Sequence, residues 1–166
     1  APKALDFPHF PDRVHAFVWR NWTLVEPARM AKVLGTSAEN VAAIAESMGL
    51  PPARPVPPEQ KARGYITVLR RNWHLLPYGQ LLTLLDLSAD QLAYSLREDD
   101  FLFIKLGSLK PKCEPLVYAP PSDEAKRRAA EIKRIVHETF GDEWGTPGEP
   151  RFAFIEALSK PQPDRP

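Results

Sequence analysis

Few side chains in this sequence combine the type and the spacing that chemistry requires. The four histidines, His9, His15, His74 and His137, are scattered and lack metal-ligand spacing. Cys113 is the only cysteine, which excludes an intramolecular disulfide and any multi-cysteine metal centre. Set between Lys112 and Glu114, it reads as an ordinary surface or half-buried cysteine with at most a mildly reactive thiol. Glu98-Asp99-Asp100 lacks the alternating ligands of a calcium loop and reads as a solvated acidic turn. There is no glycine-rich phosphate loop and no nucleophile motif. The expectation is a chain with no catalytic residue, no cofactor and no metal.

What remains is a set of cations and a repeated triplet. Arg20, Arg70, Arg71, Lys105, Lys110 and Lys112 form the candidate interaction surface. Arg20-Asn21-Trp22 recurs as Arg71-Asn72-Trp73, 51 residues later. The offset continues without a gap: Leu24 with Leu75, Leu34 with Leu85, Ser37 with Ser88, Ala38 with Ala89, Ala42 with Ala93. A fixed period of this kind points to a duplicated structural unit. Asn21, Trp22, Asn72 and Trp73 then read as a structural signature, since tryptophan at helical spacing is usually core. Stacking of an exposed tryptophan on sugar is the functional counterpart.

These residues need elements to hold them. Residues 1–11 form a Pro-rich arm. Residues 12–50 read as a first three-helix unit. Asp12 caps its first helix, Pro27 opens the second, and Ser37 caps the third, which Gly49 ends. Residues 51–58 (PPARPVPP) read as a stiff connector. Residues 59–119 repeat the three helices. The run Phe101–Leu106 then reads as a strand that pairs with Leu116-Val117-Tyr118 in a short β-hairpin. That hairpin would make the second unit winged and would carry Lys105, Lys110 and Lys112. Ser122 caps a helix within 120–141, and 142–166 is a Pro/Gly-rich tail. Inside the tail, Phe152, Phe154, Ile155 and Leu158 predict that 151–159 is an ordered segment packed on this domain. The fold class expected is mainly α, with two tandem helix-turn-helix-like units.

The first unit resembles the helix-turn-helix motif through Ala31, Gly35, Val41 and Ile44. The second has Leu82 and Asp86 where the first has Ala31 and Gly35, so its turn is in doubt. Major-groove reading by the third helices would need base-reading polar groups and cations for phosphate. The third helix of the first unit has no Lys or Arg between Ser37 and Leu50. The second carries Asp90, Glu98, Asp99 and Asp100 against Arg97, a net −3. Acidic helices repel phosphate, so specific DNA binding is disfavoured and the scaffold reading preferred.

Whole-chain composition agrees. An apolar fraction of 43% supports packed cores, and a net charge of +1 favours neither nucleic acid nor an acidic surface. The 19 prolines cluster as punctuation, and no run approaches the roughly 20 apolar residues of a membrane span.

Three segments carry a wider resemblance: FPDRVHAFVWRNW, GYITVLRRNWHLLPYGQLLTLLDLSADQLAYSLREDDFLFIKLGSLKP and KRRAAEIKRIV. They resemble the N-terminal region of large, exported bacterial multidomain proteins with glycoside-hydrolase-like barrels further along. The resemblance implies a non-catalytic accessory or protein-interaction module, exported, whose partner is a protein or a neighbouring domain. A start at Ala1 fits a processed or trimmed segment. A DNA-binding regulator, which would be cytoplasmic, is the alternative, and a carbohydrate-binding module the third reading.

Overall fold

The computed structural model describes all residues except 100, 147, 149–151 and 161–166. Its described residues form α1 (Arg13–Asn21), α2 (Pro27–Leu34), α3 (Ala38–Ser47), α4 (Pro58–Asn72), α5 (Tyr78–Leu85), α6 (Ala89–Glu98), α7 (Leu102–Lys105), α8 (Asp123–Phe140), a 3₁₀ turn (Gly141–Glu143) and α9 (Ala153–Ser159). The chain is mainly helical, and no strand occurs among the described residues.

Local chemistry sets these boundaries. The Asp12 carboxylate accepts the His15 amide at 2.8 Å and starts α1. Ser37, Ser88 and Ser122 cap α3, α6 and α8 in the same way, and Gln91 closes a capping box with Ser88. Gly35 ends α2 in the left-handed region at φ 67°. Asp86 ends α5 at φ 58°, so the second turn follows the same path without a glycine. Aspartate is among the few L residues that visit this region readily, and bidentate bonds from Arg29, both 2.8 Å, hold its carboxylate there.

One hydrophobic core joins the helices. Phe17, Trp22, Met30, Leu34, Val41 and Met48 from α1–α3 pack in the same cluster as Leu69, Trp73, Leu76, Leu81 and Leu92 from α4–α6 and the turns between them. The connector is laid down on the first unit: Pro51 O accepts from Trp22 Nε1 and the Val56 amide donates to Glu26. α8 packs across α3, and a side chain at Gly49 would meet Lys133 at 3.1 Å. Trp144, stacked on Phe140, donates to Gly49 O and fastens the end of α8.

The expected hairpin is not formed, and with it the wing falls. Phe101 adopts φ 54°, the Leu102 amide donates to Asp99 O, and Lys105 N bonds Phe101 O, so the run starts a helical turn. A short apolar run without alternation is equally compatible with either state, and here Leu102 is buried in the core and Leu106 packs against it, while Phe101, Phe103 and Ile104 stay exposed. The intended partner bonds elsewhere: Leu116 N to Gln80 and Tyr118 N to Leu34 O. The expected docking of 151–159 is corrected as well. Residues 153–159 are helical, but Phe152, Phe154, Ile155 and Leu158 are each more than half exposed. Residue 151 lies outside the described residues.

Candidate functional site

The repeated triplet lies where α1 meets α4. Asn21 Nδ2 donates to Asn72 Oδ1 at 2.9 Å, and Asn72 Nδ2 donates back to Asn21 Oδ1 at 2.7 Å. Each amide also donates to the carbonyl four residues earlier in its own helix, Phe17 O and Val68 O. Both asparagines are fully buried, and every one of these bonds has its counterpart 51 residues away. The contact is therefore reciprocal, as in an isologous interface, but within one chain. The two side chains find each other across the junction.

The flanking arginines obey the same rule. Arg20 Nε donates to Arg71 O at 2.9 Å, and Arg71 Nη1 donates to Arg20 O at 2.6 Å. Phe7 of the N-terminal arm lies under Arg20, its ring centre 5.2 Å from the guanidinium carbon. Burial and then the charge of Arg71 lower the pKa of Arg20. His74, whose Nδ1 accepts from Leu5 N, is lowered by burial, then by Lys110 and Arg20. Arg70 is exposed beside them.

The other cations separate from this pair. Lys110 is folded inward: its ammonium donates to Trp73 O at 2.6 Å and to Cys113 Sγ at 3.3 Å, and lies 5.2 Å from the centre of the Trp73 ring. Burial lowers its pKa, against which the Cys113 bond acts. Lys112 is exposed, 3.9 Å from Glu114, and Lys105 is exposed on α7. Of the six candidates, the structure thus pairs Arg20 with Arg71, folds Lys110 onto Trp73 beside them, and leaves Arg70, Lys105 and Lys112 exposed. Arg13, which bonds Leu75 O and Glu114 O, and His74 belong to this neighbourhood too, and no sequence signal marks them.

Trp22 and Trp73 are 5% and 1% exposed, so neither presents a face to a sugar. The outward faces of the third helices offer little to phosphate. Glu39, Ala42, Ala43 and Glu46 are exposed on α3, and Arg97 on α6 is taken by Glu98 at 2.7 Å.

An apolar patch lies bare at α6 and α7. Ala93, Leu96, Arg97, Phe101, Phe103 and Ile104 line an open hollow of about 460 Å³ between α6 and α7. Phe101 is 73% and Ile104 66% exposed, with Tyr94 and Leu109 bare as well. Sequence reasoning missed this face because it assigned the run to a buried strand. A smaller cavity of about 80 Å³ under α8 touches His15, Ser47 and Tyr118. There Asp12 holds His15 Nδ1 at 2.8 Å, an arrangement that completes the α1 cap. Among the described residues no group of His, Cys, Asp and Glu is placed to hold a metal, and no helix is long and apolar enough to cross a membrane. No family model, curated protein or solved structure matches the chain.

Proposed function

We propose that this chain is a non-catalytic interaction module of a larger bacterial protein, built on a duplicated helix-turn-helix-like scaffold. The observation that carries the reading is the exposed apolar face of α6 and α7. A side chain such as Phe101 left in water forgoes about 1.5–3 kcal/mol of burial, and contiguous faces of this kind mark interaction sites. The 51-residue correspondence of bonds across the α1–α4 junction supports the duplication. The resemblance to the leading region of exported multidomain proteins supports a neighbouring domain as the partner and an exported location.

The test adds the remainder of the encoded polypeptide to this chain as a separate protein. Association that Phe101→Asp and Ile104→Asp each abolish is expected; both positions are exposed, so neither variant disturbs the core. Association that survives both variants contradicts the assignment of the face.

The alternative, a DNA-reading regulator, finds no lysine or arginine on α3 and a neutralised Arg97 on α6. Selection of this chain against random duplexes should enrich no sequence. Specific binders show a Kd of roughly 10⁻⁸ to 10⁻¹¹ M at physiological salt, and such a binder would overturn the accessory reading.

A further inference from the structure

We propose that Arg20 and Arg71, held side by side at the α1–α4 junction, form a binding site for a tetrahedral oxyanion, a phosphate or sulfate group. The first ground is pre-organisation. Each guanidinium gives one N–H to the main-chain carbonyl of the other arginine. A guanidinium carries five donors, so four on each remain for a ligand. The long side chains are already ordered, which removes much of the entropy that binding would otherwise cost.

The second ground is uncompensated charge. No carboxylate lies within ion-pair distance of Arg20 or Arg71 among the described residues. The arm's acid, Asp6, turns to Lys3 at 3.7 Å. The pair is therefore a charge concentration without a counter-ion. Burial and Arg71 make protonated Arg20 less favourable, and burial, Lys110 and Arg20 do the same to His74. A bound anion reverses both effects.

The third ground is shape. Phe7 lies against the Arg20 guanidinium, its ring centre 5.2 Å from the guanidinium carbon, while Nε is held by Arg71 O. Two guanidinium edges suit an anion with two oxygen edges, one for each fork. A tetrahedral dianion has them. A monocarboxylate has a single edge and satisfies one arginine only. The proposal stands apart from the interaction-module reading, because the α6–α7 face contributes nothing to it.

The experiment titrates the 166-residue chain separately with inorganic phosphate, inorganic sulfate, acetate and a short random duplex DNA. Calorimetry reads affinity and NMR reads the His74 ring. Phosphate and sulfate should saturate one site more tightly than acetate, and their order tells which group the site prefers. The His74 pKa should rise when the site fills. Arg20→Gln and Arg71→Gln should each weaken binding about 10- to 100-fold, as loss of charge-assisted bonds predicts, while exposed Arg70→Gln changes it less than about twofold. Where a Gln variant loses its fold, Arg71→Lys keeps the charge without the fork, and should still weaken binding. Absence of saturable binding, equal affinity for acetate, equal effects at Arg70 and Arg71, or affinity for duplex DNA alone would each overturn the proposal.

Discussion

Asn21 and Asn72 show how much of the α1–α4 junction depends on single groups. Burying an amide is tolerable only when its donors and acceptor are used, and each asparagine supplies what the other needs. Replacing either by Ala removes its bonds and leaves its partner unsatisfied, a loss of about 1–3 kcal/mol or more. The double variant removes both orphans, so it should cost clearly less than the sum of the singles in urea unfolding. Strict additivity would show that the pair is not coupled. The tryptophans make a second contrast. Trp22 Nε1 donates to Pro51 O at 2.7 Å, whereas the buried Trp73 Nε1 meets no acceptor among the described residues. Trp22→Phe should therefore cost about 0.5–1.5 kcal/mol more than Trp73→Phe, the net worth of one hydrogen bond. His74 provides a pH signature. Its folded pKa lies below the unfolded value of about 6.5, so the native state binds fewer protons than the unfolded chain in that window. Stability should fall as the pH drops from about 6.5 towards the folded pKa. His74→Gln should flatten that slope, and an unchanged slope would remove His74 from the account. The repeated Arg-Asn-Trp was legible in the sequence as a signature. That its two copies bond each other was not, because a spacing along the chain does not say which copies meet in space.

Helix boundaries were largely legible, because they rest on local chemistry: Asp12, Ser37, Ser88 and Ser122 each cap the helix that follows. The turn after α5 was not, since Asp86 replaces glycine at a left-handed position, where cap bonds to Leu82 O and the tertiary bonds from Arg29 hold it. Gly35→Ala isolates the backbone term, for nothing lies within 4 Å of the added Cβ. It should destabilise by about 1–2 kcal/mol in denaturant unfolding. No measurable loss would mean that α2 ends by another route. The segment 101–106 shows the opposite failure. Its apolar run has no period, so strand and helical turn fit equally. The choice is made by bonds that sequence does not display: Gln80 captures Leu116 N, Leu34 O captures Tyr118 N, and no edge remains for pairing.

At the scale of the molecule the apolar surface is divided unevenly. The two three-helix units and α8 bury apolar residues in one cluster, Leu92, Leu96 and Leu102 among them, while Tyr94, Phe101, Phe103 and Ile104 of the α6–α7 region and the large apolar residues of α9 stay in water. The sequence marked Phe152, Phe154, Ile155 and Leu158 as too apolar for a free linker, and their exposure leaves that patch uncovered by this domain. The burial forgone by two such faces is several times the roughly 1.5–3 kcal/mol of a single large apolar side chain. This is the physical content of the module reading: a self-sufficient scaffold presenting apolar faces for something else to cover. Hydrogen exchange, compared between the 166-residue chain alone and the whole polypeptide that its gene encodes, tests this most directly. The account predicts amides at 101–109 that exchange more slowly in the whole polypeptide than in the isolated chain. Equal exchange in the two, or an encoded polypeptide with nothing beyond this chain, would contradict it.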